Sequence, residues 1–109
     1  MANAYKTLGQ IADASANNVT LYTVPASTET VVSTIVICNR EGAANTFRIA
    51  VRPDGATLAN EHYLAYDSSI SANDTITMTL GITVDATDIV SVGASDANVS
   101  FSIFGTEIS

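Results

Sequence analysis

The stretch that most constrains the fold lies at residues 28–40, with the sequence TETVVSTIVICNR. Six of the eight positions from 31 to 38 are apolar, and only Ser33 and Thr34 interrupt them. β-Branched residues favour strands, and a strand without a polar face is typically buried on both sides. We therefore predict that residues 30–39 form the central strand of a sheet. One face of this strand meets the core, and a loop or a second chain covers the other.

The rest of the chain alternates strand patterns with turn signals such as Pro53-Asp54-Gly55. The clearest pattern lies at residues 75–84, where apolar side chains alternate with threonines and one glycine. Such alternation is typical of a strand with one buried face. Further strands are predicted at residues 5–10, 19–24, 46–51, 62–67, 89–92 and 99–108, and the residues from 68 to 73 are predicted to form a polar turn.

About eight short strands without a helical apolar stripe predict an all-β fold. We expect an antiparallel β-sandwich of about eight strands, jelly-roll-like or Greek-key, in a single domain spanning residues 1–109. The order of the strands within the sheets is left open by this pattern.

Charge excludes two classes of partner. Eleven acidic residues against four basic ones give a net charge of −7, which repels phosphate groups. We therefore expect neither nucleic acid nor a membrane as a partner. The first residues lack the basic and apolar segments of a signal peptide, so we expect no secretion by the usual route.

Catalytic and metal-binding patterns are not found. His62 is the only histidine, and no nucleophile motif accompanies it. Cys38 is the only cysteine, and its apolar neighbours predict a small buried side chain. Asp85 and Asp88 flank a turn without the spacing of a calcium-binding loop. We predict no enzymatic activity, no catalytic residue, no cofactor and no metal.

Six segments carry a resemblance to a known family. They resemble small β-sandwich virion proteins of tailed bacteriophages, common in marine and cyanobacterial phages. The segments are LYTVPA at residues 21–26, VVSTIVICNR at 31–40, TFRIAV at 46–51, YLAY at 63–66, NDT at 73–75 with the threonine strand that follows, and FSIFGTEI at 101–108. The resemblance extends over nearly the whole chain. It implies a capsid decoration (cement) protein that binds the major capsid protein of the phage and joins neighbouring capsomers without catalysis.

The same resemblance implies a homo-oligomer, with a trimer favoured, that assembles in the host cytoplasm and lies on the outer surface of the virion. The acidic charge fits this location better than the DNA-filled interior. The alternative is a tail, neck or fibre sandwich, including a host-attachment module that binds surface glycans. An enzyme acting on cell-wall sugar is a third reading, for which no convergent pair of acids is visible.

Candidate interface residues come from the scarce basic side chains and from the aromatic ones. On an acidic chain, isolated basic residues either contact an acidic neighbour or serve as solubilising residues. Two tyrosines three positions apart on a strand are expected on opposite faces, where they make no common platform for a sugar. The candidate residues are Arg40, Glu41, Arg48, Arg52, His62, Tyr63 and Tyr66.

Overall fold

The computed structural model describes residues 3–109, which form two packed four-stranded antiparallel sheets. The predicted all-β sandwich is confirmed. Two short 3-10 turns, Pro53–Gly55 and Asn60–His62, lie in the connection between the fourth and fifth strands. The strands are β1 (Asn3–Ile11), β2 (Val19–Thr23), β3 (Glu29–Asn39), β4 (Asn45–Arg52), β5 (Tyr63–Ile70), β6 (Thr75–Val84), β7 (Ile89–Ala94) and β8 (Val99–Ile108). Within residues 3–109 no helix is long and apolar enough to span a membrane.

The order of the strands is β1-β8-β3-β6 in sheet A and β2-β7-β4-β5 in sheet B. The pairing is nested: β1 pairs with β8, β2 with β7, β3 with β6 and β4 with β5. The additional pairs of β3 with β8 and of β4 with β7 join these strand pairs into two four-stranded sheets. Nested antiparallel pairing in two sheets makes the sandwich jelly-roll-like. Because β3 has a partner on both sides, its predicted central position in the sheet is confirmed.

The core lies between the sheets and is built from the inward-facing residues of the strands. On β3 these are Val32, Ile35 and Ile37, which are fully buried. They pack in one cluster with apolar residues of sheet B such as Ile49 and Val90. On β6 the half-buried apolar residues alternate with exposed threonines, as its sequence pattern predicts.

The other side of β3 is more open than expected. Val31, Val36 and Cys38 are half-buried, not buried. Their neighbours across β6 are threonines, and Thr75 and Thr77 are exposed beside Cys38 and Val36. Together with the side chains on the flanking strands, this leaves the outer side of β3 partly exposed in the single chain. Cover of this side by a loop or by a second chain stays a prediction.

Strand β5 differs most from its predicted bounds. It begins at Tyr63 and continues to Ile70, so part of the predicted turn at residues 68–73 is strand. Ser68 and Ser69 pair with Phe47 and Thr46 of β4, so long-range pairing holds polar residues in the ladder. His62, which we predicted to begin the strand, belongs to the preceding 3-10 turn.

Asn39, at the end of β3, connects the turns at one end of the sandwich. Its side chain is 1% exposed. The amide nitrogen donates to the carbonyl oxygens of Ala43 at 2.9 Å and Ser71 at 3.1 Å, and Oδ1 accepts from the backbone of Glu41. One buried amide therefore satisfies polar backbone groups of the β3–β4 and β5–β6 connections.

Candidate functional site

The outer face of sheet B, the side turned away from sheet A, gathers most of the candidate residues. Strand β4 places Phe47 and Ile49 in the core, so the alternate residues Arg48 and Arg52 project outward. Tyr66 contacts Arg48 on this face, and Tyr63 contacts Tyr66. Two of the four Lys and Arg residues of the chain thus share one face with two tyrosines.

Arg48 is held by an acid and an aromatic ring. Its Nε lies 2.7 Å from Oδ1 of Asp67, its Nη2 lies 3.3 Å from Oδ2, and its Cζ lies 4.3 Å from the centre of the Tyr66 ring. The hydrogen bond from Arg48 lowers the pKa of Asp67 below its usual range. A bidentate pair stacked on a ring fixes the direction of the guanidinium. Asp67 was missed at the level of sequence, because nothing local marks it as the partner of Arg48.

Tyr63 and Tyr66 contact each other, and the prediction that they lie on opposite faces is wrong. Their ring centres are 4.8 Å apart at an interplanar angle of 83°. The pairing of β5 with β4 shifts register twice, and Asp67 adopts a positive φ of 49°. Between Tyr63 and Ser68, β5 has two residues more than the matching part of β4, which breaks the simple alternation.

The two rings and Asn60 line a surface cavity of about 350 Å3. Tyr66 is 57% exposed, so its ring is accessible from solvent. An edge-to-face pair of tyrosines beside an amide provides apolar surface together with hydrogen-bonding groups. Such an arrangement is suited to a ligand that stacks on a ring and accepts or donates hydrogen bonds.

Arg52 lies on the same face over β7. Its Nε donates to Oγ of Ser91 at 2.8 Å, and its Nη1 donates to the carbonyl oxygen of Ala56 at 3.0 Å. Ser91 is fully buried beneath it. Arg52 is thus tied to the scaffold and adds positive charge to the outer face of sheet B.

His62 precedes this face in the chain. Its Nδ1 accepts the backbone N–H of Ala59 at 3.0 Å, which closes the 3-10 turn that leads into β5. The imidazole therefore has a structural role at the start of the strand that carries the tyrosines.

Arg40 and Glu41 are in the connection between β3 and β4, outside the sheet B cluster. Arg40 donates from Nη2 to the carbonyl oxygens of Ala12 at 2.9 Å and Ala97 at 3.2 Å. The backbone oxygen of Glu41 accepts a hydrogen bond from the backbone N–H of Asn73. These contacts hold loops together. Arg40 and Glu41 therefore lie apart from the candidate residues on and beside the outer face of sheet B.

The aspartates of the predicted turns bind backbone and hydroxyl groups. Asp88 accepts the amides of Asp54 and Asp85, each at 2.8 Å, and Asp54 accepts the hydroxyl of Thr87. In residues 3–109 no three His, Cys, Asp or Glu side chains converge as a metal site would require.

The outer face of sheet A has a different composition. Its middle consists of four rows of cross-strand neighbours: Tyr5, Thr106, Val31 and Thr83; Thr7, Phe104, Thr34 and Thr79; Gln10, Ser102, Val36 and Thr77; Ser100, Cys38 and Thr75. None of these residues is charged, although the chain carries a net charge of −7. Cys38 is a free cysteine in the last row and is half-buried.

Comparison with known proteins relates the fold to viral particles. No family model and no curated protein matches the chain. A chain of the T13 infectious bursal disease virus particle matches with a TM-score of 0.53 and 14% identity, covering 96% of this chain and 30% of the viral one. The VP2 subviral particle of the same virus matches with a TM-score of 0.47 and 15% identity, covering 97% of this chain and 32% of the viral one.

This chain therefore spans about a third of the length of the viral chains it matches. At such low identity the first likeness shows a shared β-sandwich fold. The matched particles belong to infectious bursal disease virus, so the resemblance to tailed-phage proteins stays a prediction.

Proposed function

We propose that this protein is a non-enzymatic structural component of a virion, specifically a decoration protein of a tailed-phage capsid. The observation that supports a virion role is the sandwich shared with the chain of a viral particle, at a TM-score of 0.53. The resemblance of the sequence to phage virion proteins points the same way. In this proposal the protein lies on the outer surface of the shell, where its acidic charge is remote from packaged DNA.

The outer face of sheet B is the proposed contact with the major capsid protein. Arg48 and Arg52 are held in place by Asp67 and Ser91, so little side-chain freedom is lost when a partner binds. Tyrosine and arginine are the residue types enriched in binding hot spots. An acidic patch on neighbouring capsid subunits is the complementary surface.

Binding to purified shells of the phage that encodes the protein tests the proposal. Wild-type protein should cosediment with shells at a stoichiometry that follows the number of capsomers. Tyr66→Ala should weaken this binding by about tenfold or more, as expected for a hot spot. Tyr5→Ala is the matched control, because Tyr5 is 80% exposed and lies on the outer face of sheet A.

Cryo-electron microscopy of the virion gives an independent answer. Density for the sandwich on the shell, with the outer face of sheet B against the capsid, is the expected result. Density only at the tail or neck would contradict the decoration role.

A second candidate function is a tail, neck or fibre module that binds host-surface glycans. The observation in its favour is the Tyr63 and Tyr66 pair beside Asn60, since aromatic rings and amides are suited to sugar faces and hydroxyls. A glycan array, followed by titration of any ligand into Tyr63→Ala and Tyr66→Ala, tests it. Absence of binding by the wild type, with both variants infecting normally, would contradict this function.

A further inference from the structure

Four strands form the edges of the two sheets: β1 and β6 in sheet A, and β2 and β5 in sheet B. An edge strand presents unpaired N–H and C=O groups along one side and is therefore a template for another strand. Proteins usually protect such edges with charged residues, proline, bulges or short length.

Three of the edges carry such protection. Strand β1 contains Lys6 and a register shift just after it. Strand β2 has only five residues, with a register shift and Pro25 shortly beyond its end. Strand β5 contains two register shifts and the charged Asp67.

Strand β6 lacks this protection over most of its length. It has ten residues, TITMTLGITV, with no charge and no proline. Its register with β3 is regular from Thr75 to Thr79, and the irregularity comes only later, near Gly81 with its φ of +59°. Residues 75–79 are therefore a straight, uncharged and exposed edge.

The apolar side of β6 is also incompletely covered. Ile76 and Met78 point toward the core but are only half-buried, whereas their partners on β3, Ile37 and Ile35, are fully buried. The apolar layer of sheet A thus reaches the open side of the sandwich at this edge. Another strand placed beside β6 would bury it further.

We propose that β6 pairs in antiparallel fashion with β6 of a second copy of this chain, joining two A sheets into one eight-stranded sheet. A two-fold axis at Thr77 would pair Thr77 with itself, Thr75 with Thr79 and Ile76 with Met78. Threonines then meet threonines on one face, and apolar residues meet apolar residues on the other, which are favourable cross-strand pairs.

Charge opposes a second copy less at β6 than at β1 or β5, which carry charged residues. Two chains of net charge −7 repel each other, and β6 is an edge along which they approach without facing acids. Asp74 and Asp85 flank the strand. In the register centred on Thr77, Asp74 lies opposite Leu80 of the other copy.

The contact area indicates a weak dimer. In this register residues 75–79 of the two copies pair over about 17 Å, and a sheet edge about 10 Å high gives about 170 Å2 per copy. Stable complexes bury about 800 Å2 per partner. The dimer should therefore form from the micromolar to the millimolar range, and crowding on a particle surface would favour it. This contact is independent of the proposed function and gives a dimer in place of the trimer implied by the family resemblance.

Sedimentation and NMR across that concentration range test the proposal. Wild-type protein should form dimers, with amide shifts confined to residues 75–79 and their neighbours. Thr77→Lys combined with Thr79→Lys should weaken dimerisation by about tenfold or more, because edge lysines block strand addition. Thr7→Lys, an exposed threonine on the opposite edge of the same sheet, is the control and should dimerise like the wild type.

Circular dichroism and thermal melting must show all variants to be folded. A wild type that stays monomeric at millimolar concentration, or a double lysine variant that dimerises normally, would overturn the proposal. If the double variant dimerised normally and also lost shell binding, the β6 edge would be accepting a strand of the shell protein in place of a second copy.

Disulfide trapping checks the register. In a Cys38→Ser background, Thr77→Cys should form a covalent dimer on oxidation, since a pair on the two-fold axis meets disulfide distances. Thr7→Cys in the same background should remain monomeric. A wild type that dimerises while Thr77→Cys cannot be trapped would show that the copies meet elsewhere.

Discussion

On the outer face of sheet A, short uncharged side chains surround Val36 and Cys38, whereas the outer face of sheet B carries Arg48, Arg52 and two tyrosines. Long side chains lose much conformational freedom when they are ordered, so those of sheet B depend on partners such as Asp67 and Ser91. Threonine and valine are already restricted at χ1 and need no such partners. Sheet B can therefore offer specific side-chain contacts, while sheet A offers uncharged side chains and, along residues 75–79, a regular backbone edge.

The two faces also differ in how closely loops approach them. Gly93 pairs with Arg48 on the outer face of sheet B, and the turn containing Asn17 lies directly over it. A Cβ atom at Gly93 would be 2.7 Å from Cα and 2.9 Å from the carbonyl oxygen of Asn17. Part of this face is therefore packed like an interior, while the threonines of β6 on sheet A are exposed.

The largest expected effect comes from Gly93→Ala. The added methyl group must displace backbone of the Asn17 turn, so we expect a loss of about 3 kcal/mol in the free energy of unfolding. Gly42→Ala is the control, since a Cβ there meets nothing within 4 Å, and it should change stability by less than about 0.5 kcal/mol. Urea unfolding measures both. Equal stabilities for the two variants would show that the turn does not pack on sheet B.

The sequence predicts the strands of both sheets better than it predicts which strands and side chains become neighbours. Alternation is a local property, so the core positions of β4 and β6 follow from it directly. Strand order, the register shifts of β5 and the partner of Arg48 arise from pairing between distant residues. This is why Tyr63 and Tyr66, which their spacing predicts on opposite faces, are in contact. Arg48 and Arg52 were predicted as candidates from their scarcity, while Asp67, Ser91 and Asn60 carry no local signal.

A second prediction concerns polar groups buried between the sheets at one end. The Tyr22 hydroxyl lies 2.8 Å from Oγ1 of Thr30 and 2.5 Å from Oε2 of Glu107. Lys6 lies 2.8 Å from the other oxygen of Glu107. Burial, and then the hydrogen bond to Glu107, raises the pKa of Tyr22 from 10.0 to about 12.

The folded state therefore favours neutral Tyr22. The contribution of neutral Tyr22 to the free energy of unfolding is fully present below pH 10 and is lost as pH rises toward about 12. A shift of this size corresponds to about 2 to 3 kcal/mol. Urea unfolding between these pH values should show this decline in the wild type and in Tyr5→Phe, but a smaller one in Tyr22→Phe. An unchanged decline in Tyr22→Phe would assign the alkaline instability to other groups.

The smallest effects compare matched positions on the central strands of the two outer faces. Ala50 of β4 is 2% exposed between Tyr63 and Ser91, whereas Val36 of β3 is half-buried between Thr77 and Ser102. Ala50→Val adds two methyl groups to a filled space and should cost about 1 to 2 kcal/mol.

Val36→Thr introduces a hydroxyl group that can form hydrogen bonds with solvent and with neighbouring hydroxyl groups. It should change stability by less than about 0.5 kcal/mol. Urea unfolding of both variants at low protein concentration, where the proposed dimer is dissociated, compares the faces in the monomer. If Val36→Thr cost as much as Ala50→Val under these conditions, sheet A would be covered within a single chain. If its cost rose only with protein concentration, a second copy would be covering the outer face of sheet A through a contact other than the β6 edge.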